Sequence, residues 1–422
     1  MPNRRTVLSA IASGLAAAVI KPASAFAAPA QPAKKTYLYA NIGPRLMQFE
    51  VDAEAMTLTQ VGAIQLPDSV QYVWPHQSRR YLYVATSNTQ PGNGAAAGNS
   101  HHLVAIKVGR TGGLSLHGAA LPLPSRPIHL STDIPSANAL VAFSKPSALR
   151  VYAINEDGTL KGEVAQHAPI DAGIYAHQAR VAPSNELAIL VTRGNEGTPD
   201  HAEEPGALKV FRYADGQLSS EYSVTRDQGR GFGPRHVDFH PTRPWVYLSI
   251  ETQNQVSLLR IDNGRVEPDF LFTRTTLDPK QEHRARQAAG PIHVHPNGRF
   301  LYCANRAEQT EDVQGTAVFK GGENSIAVYV IDPQTGQPTL KQHIDTHGIH
   351  PRTFHIDPSG RMLVAEHNLP VVVRRGNALE TVSAGLSVFR IDADGTLAFI
   401  RKYDFDVGGQ SMFWCGMVEG WG

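Results

Sequence analysis

Past residue 35 the chain alternates short runs of Val, Leu, Tyr and Phe with turns rich in Gly, Pro, Asp and Asn, and helical spacing of apolar positions is nearly absent. This is the pattern of many short β-strands. One unit recurs as an apolar run ending near Asp or Asn and followed by a tight turn. It is seen at Gln48-Phe49-Glu50-Val51-Asp52, Val151-Tyr152-Ala153-Ile154, Val210-Phe211-Arg212-Tyr213, Leu258-Leu259-Arg260-Ile261-Asp262, Val328-Tyr329-Val330-Ile331-Asp332 and Val388-Phe389-Arg390-Ile391-Asp392. A looser copy at Leu103 to Val108 brings the number to seven.

A second unit is an apolar strand, a turn residue and another strand. Its turn residues are Pro75, Asp133, Pro183, Pro241, Pro296 and Pro358, spaced 58, 50, 58, 55 and 62 residues apart. There are six complete copies, and the termini supply the seventh. Ser411-Met412-Phe413-Trp414-Cys415 reads as a first strand without a successor, and Tyr37-Leu38-Tyr39-Ala40 as a second strand without a predecessor. Pairing these two removes both exposed sheet edges. The expected fold is therefore an all-β, seven-bladed β-propeller. Each blade has four antiparallel strands, A to D, with strands A lining a central channel and the ring closed by the terminal strands.

Turn lengths then distinguish the two rims. The A–B and C–D connections are tight, whereas the long excursions, Thr89 to His101, Asn195 to Gly206, Ala307 to Gly322 and Leu369 to Gly385, are all B–C loops. Loops carry function on rigid scaffolds, so the rim bearing them is the candidate face. Counting back six from the turn residue gives Ser69, Pro127, His177, Arg235, Gly290 and Arg352 in blades 1 to 6. Counting forward ten gives Arg193, Glu251, Arg306 and Asn368 in blades 3 to 6, and each such pair is expected at matching heights on strands A and B. A lopsided polar site over blades 3 to 6 follows.

Several guanidiniums at a channel mouth favour a carboxylate or phosphate ligand, and they can stabilise the oxyanion formed when an ester carbonyl is attacked. A neutral His177 can take a proton from water and return it to a leaving alkoxide. Glu251 is placed to orient Arg235 or to act as a second acid/base, and an Arg235–Glu251 ion pair that merely secures the strand is compatible with either. For His177 the plain alternative is a satisfied core histidine. His293-x-His295, with His236 and His240, lacks grouped companions for zinc. No metal is expected, and without a Gly-x-Ser-x-Gly elbow a serine hydrolase is not.

Residues 1–27 read as an export signal rather than part of the fold: Arg4-Arg5, an apolar Val7 to Ile20, and Ala25-Phe26-Ala27 as the cleavage site. The paired arginines give it a twin-arginine character. Residues 28–35 then form a linker, residues 36–422 one propeller domain, and the mature protein is expected to be periplasmic or secreted. The 39 basic and 38 acidic side chains leave a formal charge of +1, or −2 once Arg4, Arg5 and Lys21 are removed (1 − 3). That balance speaks against a nucleic-acid partner, and no later run is apolar for long enough to span a membrane. Cys303 and Cys415 fall in strands of non-adjacent blades and are expected as buried free thiols.

Several stretches carry a family resemblance: Pro127-Ile128-His129-Leu130-Ser131-Thr132-Asp133, Gly233-Pro234-Arg235-His236 with Phe239-His240-Pro241, Ile292-His293-Val294-His295-Pro296-Asn297-Gly298-Arg299, and Pro351-Arg352. Over residues 36–420 the chain resembles the seven-bladed propeller lactonases, the family of bacterial 6-phosphogluconolactonase and fungal carboxy-cis,cis-muconate cyclase. The resemblance implies a catalytic His, two Arg and a Glu, which fall on His177, Arg235, Arg306 and Glu251, with Arg193, Arg352 and Asn368 left to bind substrate. It implies neither a metal nor an organic cofactor. Family members acting on 6-phosphogluconolactone work in the cytoplasm, whereas this chain carries an export signal and long B–C loops. The expectation is therefore a monomeric hydrolase of a small anionic sugar or organic-acid lactone. The alternatives are a cyclase or isomerase of an unsaturated dicarboxylate and a non-catalytic binding propeller.

Overall fold

Four antiparallel strands recur seven times, as the repeating apolar units require. The structure, a computed structural model, describes residues 34–89, 98–110, 112–281 and 286–421. The expected export signal, most of the linker and much of the Thr89–His101 loop lie outside the described residues.

The inner strands of blades 1 to 7 are Ser69–Pro75, Pro127–Thr132, Ala176–Val181, Pro234–Phe239, Ala288–Val294, Pro351–Ile356 and Cys415–Glu419. Each is hydrogen-bonded to a second strand whose residues are largely buried, such as Trp245–Ile250 and Phe300–Arg306. Outer strands such as Thr57–Gln65 alternate buried or half-buried with exposed positions, because one face meets solvent. Blades 1 and 4 carry a fifth short strand, since the outer strand is split into two pieces that both pair with the third. Thr36–Ile42 pairs antiparallel with Cys415–Glu419 from Thr36↔Glu419 to Ala40↔Cys415. The last inner strand thus begins where Ser411–Cys415 was expected to end. The Asn41 side-chain oxygen accepts the N–H groups of Phe413 and Trp414, holding that segment just before pairing begins.

Each consecutive pair of sheets shares an apolar core. Leu140, Val151, Ile189 and Phe211 belong to the blade 2–3 and 3–4 cores, Tyr302, Val328, Leu363 and Phe389 to the blade 5–6 core, and Tyr39, Leu46, Val70 and Trp414 to the core joining blades 7 and 1. Burying one such aliphatic side chain contributes roughly 1.5–3 kcal/mol. Polar struts cross the same interfaces. The hydroxyls of Tyr83, Tyr247 and Tyr302 donate to the carbonyls of Gly158, Gly336 and Gly395, each in a tight turn of the following blade. His240 and His295 meet the carbonyls of Gly298 and Gly360 through Nε2 while Nδ1 accepts backbone N–H groups of their own turns. The thiols of Cys303 and Cys415 are free and buried, as expected.

The B–C excursions of blades 5 and 6 are ordered rather than loose. They form hairpins, Thr310–Val313 with Thr316–Phe319 and Val371–Arg375 with Ala378–Val382, joined by a parallel contact at Val318↔Val372. Val318 at this junction is 1% exposed, so the two hairpins share a small core of their own.

Gly395 adopts φ +85°, and a Cβ there would meet the Phe300 ring. Chemical denaturation should show Tyr302→Phe destabilised by about 1 kcal/mol, the net worth of one hydrogen bond. Gly395→Ala should lose more, because left-handed strain adds to the collision.

Candidate active site

Each inner strand of blades 1 to 6 contains a β-bulge at one register position. The irregularities fall at Val70/Tyr72, between Pro127 and His129, at Ala176/Gln178, Pro234/His236, Ala289/Ile292 and Pro351/Thr353. The bulged residues are Gln71, Ile128, His177, Arg235, Gly290 with Pro291, and Arg352. A bulge re-aims a side chain that regular pleating would send elsewhere. In blades 3 to 6 this is the set found by counting back from the turn. In blades 1 and 2 the count misses, because Pro75 and Asp133 sit earlier in their turns than the prolines of later blades. The matching residues are Gln71 and Ile128, not Ser69 and Pro127.

The sixteen-residue pairs do not face one another directly. Arg306 pairs with Ala288, and the Arg193 and Glu251 N–H groups donate to the Tyr175 and Gly233 carbonyls. Second-strand residues therefore stand two positions beyond the bulge, and only long side chains close the gap. They do so on Glu251, whose carboxylate lies 3.1 Å from Arg235, 2.9 Å from Arg306 and 3.7 Å from Arg193. Glu251, Arg235 and Arg306 are 6%, 5% and 3% exposed. Burial alone would raise the Glu251 carboxyl, but Arg235, Arg306 and Arg193 outweigh it and hold the group well below the usual carboxylate range. That lowering favours the orienting role for Glu251 over the acid/base one. Burial, with Arg235 beside it, pushes Arg306 down to about 10, still charged at neutral pH.

His177 lies beside this group, its ring 5.1 Å from that of His236. Burial, then the charges of Arg235, Arg193 and Arg352, lower its pKa well below the ordinary imidazole value, so the ring is neutral. Its Nδ1 has no partner among the described residues. Arg352 reaches the cluster from blade 6, stacked over Phe413 with its guanidinium carbon 3.6 Å from the ring centre. Beside it Glu366 is fully buried, and burial raises its carboxyl above the normal range. Arg193 lies over Tyr175, 4.5 Å from the ring centre, and borders a cavity of about 190 Å³ with the blade 3 B–C loop. Asn368 is not gathered onto Glu251; its carbonyl accepts the Met412 N–H.

Counting missed Arg126, which hydrogen-bonds Gln71 at 2.7 Å and also lies over Phe413. It missed His350 too, 3.4 Å from Arg306 and 2.8 Å from Glu308. Arg126 directly precedes Pro127, so aligning blades by bulge rather than by turn residue brings it into view. Nothing in the local pattern marks His350. The Nε–H donors of Arg235, Arg306 and Arg352 are buried without a partner among the described residues. A ligand with paired acceptor oxygens suits such donors. Among the described residues no three His, Cys, Asp or Glu side chains converge as metal ligands.

One register step deeper the inner strands present Tyr72, His129, Gln178, His236 and Thr353. Tyr72 and His129 pack with ring centres 4.1 Å apart, tilted by 43°, and His129 lies 6.1 Å from His236, so rings of three blades pack together beneath the arginines. Beyond them lies a cavity of about 490 Å³. Its lining includes His236 but not Arg235, Glu251 or Arg306, so this cavity and the guanidinium cluster are separate places.

Comparison with known proteins agrees with this architecture. The 6-phosphogluconolactonase of Serratia proteamaculans (strain 568) is 26% identical over 355 residues, covering 83% of this chain and 89% of its own length. That of Bacillus subtilis (strain 168) is 26% identical over 330 residues, covering 76% and 84%. The solved periplasmic gluconolactonase of Pseudomonas aeruginosa superimposes with a TM-score of 0.68 at 18% identity, over 92% of this chain and 99% of that one, which is a likeness of fold. The family described as lactonase, 7-bladed beta-propeller matches residues 36–374. The chain belongs to the seven-bladed β-propeller lactonase family.

Proposed function

We propose that the protein hydrolyses a small anionic lactone at the guanidinium cluster of blades 3 to 6. The observation that carries this reading is the set of three buried, unpartnered Nε–H donors on Arg235, Arg306 and Arg352. Two of them, on Arg235 and Arg306, belong to side chains that contact Glu251 and lower its pKa, and Arg352 lies near the neutral ring of His177. In this scheme the arginines hold the substrate's acid group and the oxyanion. Neutral His177 takes a proton from water as the water oxygen attacks the carbonyl carbon. The C–O bond to the ring oxygen then breaks, and the imidazolium returns the proton to the alkoxide, leaving a hydroxy acid. Glu251 acts through the arginines it positions, and no metal is needed. Arg193 and Arg352 would bind the substrate, with Asn368 at the edge of the site.

The Serratia and Bacillus relatives bear the name 6-phosphogluconolactonase and the Pseudomonas structure that of a periplasmic gluconolactonase, which supports lactone hydrolysis. We read residues 1–27 as a twin-arginine signal, residues 36–422 as one domain and the mature enzyme as a periplasmic or secreted monomer. A closed ring around the site is supported by the terminal-strand pairing and by the cores shared between consecutive blades. A second reading, lactonisation of an unsaturated dicarboxylate, draws on the second guanidinium pair, Arg126 and Arg352, which share Phe413 away from Glu251. Ultraviolet absorbance with muconates tests it: consumption without hydrolysis of any lactone would replace the first reading.

A panel of aldono-, phosphoaldono- and muconolactones, followed by proton release above the spontaneous rate, should contain a substrate. His177→Ala should slow its turnover by about 10²-fold or more, and unaltered turnover in that variant would sink the mechanism. Because the folded His177 pKa is lowered, the base form is already present at neutral pH. The corrected rate should stay flat as pH falls through the ordinary imidazole range near about 6.5 and drop only below it. Glu251→Gln should cost roughly 3–5 kcal/mol in denaturation, since it leaves the buried guanidiniums of Arg235 and Arg306 without their anion. Arg193→Ala should chiefly raise KM.

A further inference from the structure

The 490 Å³ cavity lies at the other end of the inner strands, toward the A–B turns. Three residues past each bulge the strands present Trp74, Ser131, Arg180, Asp238, His293 and His355. Five of these, all but Ser131, line the cavity and are only partly buried, so they face it. Tyr72, Gln178, His236, Thr353 and Trp414 form its inner wall.

The charges here are balanced. Arg180 lies 3.3 Å from Asp238, and Arg79 pairs with Glu419 at the rim. Asp238 also accepts the Val294 N–H at 2.9 Å and has His293 at 3.7 Å. His355 donates from Nδ1 to the Ile356 carbonyl, which leaves Nε2 as an acceptor. Burial, and His293 beside it, push that ring down to about 3, so it stays uncharged. The cavity therefore offers acceptors (the Asp238 carboxylate and His355 Nε2) beside donors (the Arg180 guanidinium and the Gln178 amide), on walls of Trp74, Tyr72 and Trp414.

A carboxylate group brings acceptors only and would meet the Asp238 carboxylate and an imidazole lone pair. Hydroxyl groups both donate and accept, and the apolar face of a pyranose ring suits an indole wall. The volume lies within the range of small-molecule pockets.

We propose that this end of the channel is a second binding site, for a neutral cyclic polyol such as a monosaccharide, distinct from the anion-selecting arginine cluster. It does not rest on the hydrolytic reading: either can fail alone.

The test titrates D-glucose and D-gluconate into the full chain and follows tryptophan fluorescence, because Trp74 and Trp414 both border the cavity. Glucose should give a saturable change that Asp238→Asn and His355→Gln each weaken about tenfold, equivalent to roughly 1.4 kcal/mol. Arg193→Ala should leave glucose binding within about twofold and weaken gluconate instead. His355→Gln serves as the milder variant should Asp238→Asn fail to fold. The proposal is overturned by no saturable change into roughly the tens of millimolar. Glucose binding lost in Arg193→Ala but retained in His355→Gln, or gluconate binding that depends on His355, overturns it equally.

Discussion

The candidate site depends on one carboxylate. Bringing the guanidiniums of Arg193, Arg235 and Arg306 from three blades into one buried place incurs both desolvation and mutual repulsion, and Glu251 contacts all three. Its charge is secured by the same neighbours, so hub and spokes are stable only together. Arg235 and Arg306 still keep buried Nε–H donors without a partner among the described residues.

The repeated bulge explains how those side chains arrive there. Inner strands have a free edge toward the centre, and its N–H groups need partners. Neighbouring blades supply them: Gln178 accepts from Val237, Asp238 from Val294 and Thr353 from Cys415. The extra residue above each contact turns His177, Arg235 and Arg352 toward the cluster. One device thus ties blade to blade and sorts the inner strands into layers of different polarity. A cationic layer lies above aromatic and imidazole rings, and a charge-balanced layer lies below them.

The family is broad enough that the fold does not select a substrate. The surroundings of the arginines are set locally. The hairpins of blades 5 and 6 are joined to each other through Val318 and Val372. Between the strands from which they spring, the Glu308 and His350 pair stands against Arg306.

Much of this was legible in the residues. Apolar runs with a period of two, Gly and Pro turns and the unequal copy numbers of the two units specify seven sheets and the joining of the terminal strands, because strand patterning is a property of neighbouring residues. His177, Arg235, Arg306 and Glu251 were found because turn-to-site distance is constant in blades 3 to 6. It is not constant in blades 1 and 2, where turns of another shape hid Gln71 and Arg126. Only the tertiary structure decided which carboxylate the arginines surround, that Asn368 stands apart, that two loops join as a sheet, and that a cavity of about 490 Å³ lies below the arginines. Those outcomes depend on bulges, burial and charges from blades distant in sequence, and no local pattern encodes the depth at which a side chain finally sits.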